Sequence, residues 1–285
     1  MNIRRFRQSV IALALSLACS LPLAAQKGEG DLNPAPPTGI SADEIIRRFA
    51  AKEQEFKRAR ENYTWRQSVK VQEMDGDTPG GEFATEMDIL FDDKGRRIEK
   101  VIYAPQSTLQ RISISPEDEQ DLRLRLPFTV TTDELGLYDI SYVGQQRQDE
   151  LNCYVFDLKP KKIEKGQRYF EGRIWVDDRD FQIVKTFGKN VPDINQKKGQ
   201  ENLFPRFTTY REQIDGKYWF PTYTKVDDTL HFSTGDVRIR QVVKYTNYRR
   251  FGSNVKITYE GQDIESAPGD KQPAENPPAS QQPAK

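Results

Sequence analysis

The sequence predicts a mostly β protein with some α, built around one antiparallel sheet of about ten strands that is either closed into a barrel or strongly curved. Three observations carry this. Apolar and polar residues alternate in run after run between residues 65 and 248, the period of strands with one face buried. Turn-forming clusters such as Asp92-Asp93-Lys94-Gly95 and Asp215-Gly216 separate the runs. No regular alternation of strand with helix occurs, which sets parallel α/β folds aside. The 12 Tyr, 15 Phe and 3 Trp of this 285-residue chain suit a pleated, half-buried surface.

The first 25 residues stand apart. Arg4, Arg5 and Arg7 precede the apolar run Val10–Ala18, and small residues follow at Ala24-Ala25. This is the pattern of a secretory signal peptide, cut after Ala25, which predicts a periplasmic protein. Leu23 is an awkward residue at the third place before that cut. A lipoprotein signal ending at Cys19 is the less favoured alternative, because Ser16 and Leu17 are misplaced for it and the apolar run continues past the cysteine. Processing leaves Cys153 without an internal disulfide partner. The 43 basic and 43 acidic residues give a formal charge of zero, which argues against a nucleic-acid partner.

Along the remaining chain, residues 26–40 are rich in Pro and Gly and read as a disordered linker. Ser41 and Glu44 form a capping box, opening a helix that runs to about Asn62. Ile45, Phe49, Phe56 and Ala59 make its apolar stripe, while Arg47, Lys52, Glu53 and Arg58 are assigned to the other face. Trp65, Val69 and Val71 alternate in the first strand, and DGDTPGGE reads as a loop. Met87, Ile89 and Phe91 alternate in the next strand, residues 96–103 make a third, and a short strand is expected around residues 109–114. Ser115-Pro116-Glu117-Asp118 starts a second, short helix with Leu122 and Leu126 on one side. Strands resume with Tyr138, Ile140 and Tyr142, then Tyr154, Phe156 and Leu158, and later strands fill residues 204–214, 217–226 and 236–248. The domain thus spans residues 41–261, and the Pro/Gln/Ala-rich residues 262–285 form an unfolded tail.

Residues 168–189 read as a long hairpin turning at Asp177-Asp178-Arg179-Asp180. Pairing Val176 with Phe181 sets Ile174 opposite Ile183 and Phe170 opposite Phe187. One face is then apolar throughout.

Within residues 138–189, the segments YDISYVG, NCYVFDLKPKK and GRIWVDDRDFQIVK resemble the mid-sheet signature of the LolA/LolB-like superfamily, the outer-membrane lipoprotein-sorting proteins. The matching positions are Leu158-Lys159-Pro160-Lys161 and Trp175-Val176-Asp177. The resemblance implies an unclosed β-barrel covered by helices, with an apolar space that receives a lipid or the acyl group of a lipoprotein for trafficking toward the outer membrane. The expected protein is a monomer that meets an inner- or outer-membrane transport partner and uses no cofactor; no catalytic residue is assigned, and an enzymatic reading is the weakest, because no acid–base constellation converges. The arginine by which the family latches its lid has no identifiable counterpart in the sequence. On this reading the apolar wall comprises Trp65, Val69, Val71, Met87, Ile89, Phe91, Leu122, Leu126, Tyr138, Ile140, Tyr142, Tyr154, Phe156, Leu158, Phe170, Ile174, Val176, Phe181 and Ile183. For any one of them, ordinary core is the competing assignment. A second functional reading is an envelope interaction or sensor module that binds a protein partner with the same fold.

Candidates for chemistry are few. His231 is the sole histidine, so two-histidine zinc sites are excluded. Asp75, Asp77, Gly80 and Glu86 partly match a calcium loop, but Pro79 interrupts it and strands flank it. Asp177, Asp178 and Asp180 read as turn chemistry. Cys153 is expected to be structural, on a face with polar neighbours.

Overall fold

The computed structural model describes residues 28–92, 95–114, 116, 118–119, 130–192, 205–232 and 234–251. Residues 1–25, read as a signal peptide, residues 262–285, read as a tail, and Leu122 and Leu126 lie outside the described residues. Pro116, Asp118 and Glu119 are helical, at the expected start of the second helix.

Helix α1 spans Ala42–Ala59, and a 3-10 turn continues it over Arg60–Asn62. Ten strands follow: β1 Tyr63–Asp75, β2 Thr78–Phe91, β3 Arg97–Tyr103, β4 Tyr138–Gln148, β5 Leu151–Pro160, β6 Tyr169–Asp177, β7 Ile183–Val191, β8 Phe207–Gln213, β9 Trp219–Phe232 and β10 Gly235–Arg250. They form one antiparallel sheet in the order β3-β2-β1-β10-β9-β8-β7-β6-β5-β4. Each strand neighbours its sequence neighbour except at two places. β1 pairs with β10, and β3 and β4, consecutive in sequence, form the two free edges. The fold is a barrel meander left open at one seam.

One apolar cluster lines a single face of this sheet, hereafter the inner face. Two rows of directly opposed residues show its composition: Phe83, Val71, Gln241 and Val226, and Phe207, Gly188, Gly172, Leu158 and Ile140. Ile45, Phe49 and Ala50 of α1 pack onto the inner face, as do Ile112 and Val130 of the β3–β4 connection. At the foot of the sheet Phe56 joins Tyr63 and Phe220 in a separate aromatic cluster, with the Phe56 and Phe220 rings edge to face at 5.2 Å. On the outer face, Cys153, Val155, Trp175 and Val184 make a third cluster.

Several expectations are corrected. Residues 28–35 are laid against the edge of β4: Gly30 and Asn33 donate to the Arg147 and Gln145 carbonyls at 2.9 and 2.8 Å, and Tyr142 donates to the Ala35 carbonyl. An edge strand with free backbone groups gives this Pro/Gly segment something to bind. The DGDTPGGE stretch is mostly strand, because β1 and β2 continue to a tight turn at Gly76-Asp77. Residues 109–114 are not a strand. The Glu73 carboxylate takes the amide protons of Gln110, Arg111 and Ile112 at 2.6–3.1 Å, so these groups have no need of a neighbouring strand. Half of the expected capping box forms: Ser41 Oγ accepts from the Glu44 amide at 3.2 Å, while the Glu44 carboxylate goes to Arg47 and Arg48.

The hairpin register also differs. Val176 pairs with Ile183, Ile174 with Thr186, Arg173 with Phe187 and Phe170 with Asn190, with a bulge beside Val176. Phe187 therefore lies on the outer face and is exposed. The reason is a pair of glycines. Gly172 opposes Gly188, and the Phe170 ring lies over both, 2.9 and 2.7 Å from where their β-carbons would stand. The expected register would put Lys185 opposite Gly172 and leave no such seat. The turn then takes residues 177–182, with Phe181 in the left-handed region at φ 59°.

Candidate functional site

The surface that the sequence points to is the inner face, and α1 is what closes it. The alternating strands place Trp65, Val69, Val71, Met87, Ile89, Phe91, Tyr138, Phe156, Leu158, Phe170, Ile174, Val176 and Ile183 in one buried cluster, with Ile140, Tyr142, Tyr154 and Phe181 half-buried against it. Every described residue expected in the apolar wall therefore shares one face. The Phe49 ring of α1 sits 5.7 Å from that of Phe156. Arg48 lies over the Phe181 ring at 4.9 Å, and Phe181 in turn stacks on Tyr154.

The helix is held by charge as much as by apolar contact. Glu53 and Arg211 of β8 form a bidentate pair at 2.8 and 3.2 Å, with side chains only 1% and 2% exposed. This corrects the assignment of Glu53 to the solvent face. Farther along, Lys57 donates to Glu134 at 3.1 Å. Burial alone would raise Glu134, but the Thr131 amide and the Lys57 ammonium outweigh it and hold the carboxyl below its usual range. The aromatic foot is fixed by the Tyr63 hydroxyl donating to Asp215. Burial and that hydrogen bond push the Tyr63 phenol up to about 12.

Polar atoms interrupt the apolar face. Thr209 and Thr224 share a hydrogen bond of 2.8 Å across β8 and β9. Gln241, between Val71 and Val226, is 1% exposed, and both ends of its amide lack a hydrogen-bond partner among the described residues. The Trp65 indole N–H is likewise buried without one. Such groups cost about 1–3 kcal/mol each when unpaired.

The remaining candidates are placed as follows. His231 is exposed and bonds Asp236 at 2.8 Å. Among the described residues no three His, Cys, Asp or Glu side chains converge as metal ligands. Asp177 and Asp180 build the turn, with Asp177 Oδ2 accepting from the amides of Arg179 and Asp180. Cys153 has polar cross-strand neighbours, Asp177 and Gln146, beside the apolar side chains of the outer cluster, and burial, with nearby carboxylates, pushes its thiol up to about 12, so it is a poor nucleophile. A groove of about 680 Å³ lies on the outer face, with Asp157, Arg173, Trp175, Phe187 and Arg206 among its lining residues, and is separate from the wall closed by α1.

Two partners of the site escaped the sequence reading. Glu53 follows Phe49 by four positions and precedes Phe56 by three, so it stands within the apolar stripe; its charge alone sent it outward. Arg211 alternates with Phe207 and Thr209 on β8, which is the signal that it faces inward.

An open antiparallel sheet with one face closed by an amphipathic helix defines the architecture. Several solved structures are similar to the chain. A LolA superfamily protein from Nitrosomonas europaea is 16% identical, with 71% of this chain and 94% of that chain covered, at a TM-score of 0.32. A DUF1329 family protein from Desulfovibrio piger is 15% identical, covering 76% and 92%, at 0.38. The MucA/MucB complex of Pseudomonas aeruginosa contributes a chain that is 12% identical, covering 74% and 99%, at 0.22. No family model and no curated protein matches the chain. Likenesses at these TM-scores lend no support to a function, which must come from the chain's own geometry.

Proposed function

We propose that this protein is a non-catalytic carrier of the cell envelope that shields a lipid, or the acyl group of a lipoprotein, on the inner face of its sheet. In this reading it is exported by residues 1–25, works in the periplasm and moves its cargo toward the outer membrane. The observation that carries the reading is an apolar face shared by β1, β2 and β4 to β10 and covered by one helix that is held by apolar contact and by a buried ion pair.

The energetics favour exchange. α1 commits Ile45, Phe49 and Ala50 to the inner face, and the two large side chains are worth about 1.5–3 kcal/mol each on burial. An acyl chain gains about 0.8 kcal/mol per buried methylene, so a dozen methylenes compete with the helix. A buried ion pair, unlike a packed apolar contact, adds little net stability to the closed state, which suits a lid that must leave. The unpaired Gln241 amide offers a hydrogen bond to an ester or amide linkage in the cargo.

Native mass spectrometry of protein extracted gently from the envelope tests this. The expected result is a population carrying acyl-sized adducts, which strips to the bare mass under harsher desolvation. Protein that emerges bare, and that takes up no acyl chain when offered palmitoylated peptide, contradicts it.

A further inference from the structure

The β5–β6 connection projects from the sheet with residues 161–168 all exposed. Residues 159–168 hold Lys159, Lys161, Lys162, Lys165 and Arg168 against Glu164, with Asp139 of β4 opposite Lys159 and Arg168 donating to the Pro192 carbonyl. In a chain whose basic and acidic residues balance, this is a local concentration of positive charge. Glu164 and Lys162 pair at 3.4 Å with both side chains well exposed, which neutralises little. At the centre of the cations Ile163 is 48% exposed, and Leu137, whose carbonyl accepts from the Lys161 amide at 2.9 Å, is 46% exposed. The antiparallel pairing of Tyr138 with Pro160 puts the start of β4 and the end of β5 at this one end of the sheet.

We propose that this end of the molecule docks on an anionic phospholipid bilayer. Lys161, Lys162 and Lys165 meet lipid phosphates, and Ile163 and Leu137 enter the boundary between headgroups and acyl chains. Cations ringing an exposed aliphatic tip match a surface that is charged outside and apolar just beneath. Four of the five cations are lysines, flexible point charges without the planar fork that reads one fixed anion. An acidic protein would satisfy the charges but leave the aliphatic tip without a seat. Docking requires no cargo, so it stands or falls separately from acyl carriage.

Co-sedimentation of the full chain with phosphatidylcholine vesicles, with and without phosphatidylglycerol, is the test. Binding is expected only to the anionic vesicles and weakens as salt rises. At roughly fivefold per cation, a Lys161→Ala/Lys165→Ala double variant binds about thirtyfold more weakly. Ile163→Ser loses about tenfold by removing the apolar anchor. Lys244→Ala, an exposed charge on β10, binds as the parent does. Circular dichroism checks that each variant is folded. The proposal is overturned if the protein fails to sediment with anionic vesicles, or if the double variant binds as well as the parent. It is overturned equally if Ile163→Ser has no effect while soluble heparin binds as tightly as vesicles, the signature of a site for an acidic macromolecule.

Discussion

The Glu53 carboxylate and the Arg211 guanidinium are almost sealed from water and satisfy each other twice over. Removing one partner leaves a buried charge without compensation, so Glu53→Ala should cost about 3–5 kcal/mol in urea-denaturation stability. A joint Glu53→Met/Arg211→Leu replacement should recover most of that loss. A single-variant loss below about 1 kcal/mol would place the pair in solvent instead. The glycine seat of Phe170 gives a second test at this scale. Gly188→Ala puts a methyl group against the ring and the Glu171 carbonyl, and overpacking of this kind costs about 1–3 kcal/mol. Both features were half legible in the sequence. The spacing of Glu53 marked it as inward, but charge outweighs spacing when a partner strand is not known. Alternation assigned faces correctly on β6, yet the hairpin register depended on which residues could sit opposite glycine, a packing fact that periodicity does not contain.

At the scale of elements, burial raises the carboxyl of Glu53 on α1 itself, but the turns that flank the helix are fastened by carboxylates held below their ordinary range. Lys57 and the Thr131 amide do this for Glu134 against the cost of burial. The Tyr63 hydroxyl and the amides of Tyr218 and Lys217 do it for Asp215, again against burial. A lowered carboxyl contributes stability above its unfolded pKa, near about 4, and loses that contribution as pH falls through the folded value. The urea midpoint should therefore drop on acidification below about pH 4, and Glu134→Gln with Asp215→Asn should flatten that drop. An unchanged slope in the double variant would contradict the assignment. The extent of α1 was readable from its cap and stripe. The placement of residues 109–114 was not, since their amides bind a carboxylate distant in sequence, Glu73, rather than a strand.

At the scale of the whole molecule, the sequence identified an antiparallel sheet but left its closure open. The decisive pairing, β1 with β10, joins residues nearly the length of the domain apart, and local pattern carries no information about it. That pairing places the opening between β3 and β4 and leaves α1 over a face shared by strands from both halves of the chain. The central claim is that an acyl chain takes the place of α1 on that face. Hydrogen exchange across Ala42–Ala59, with and without a palmitoylated peptide, measures this directly. The account predicts that α1 amides lose protection when the acyl chain binds, while the strands beneath keep theirs. Unchanged or increased protection of α1 at saturating peptide would contradict it.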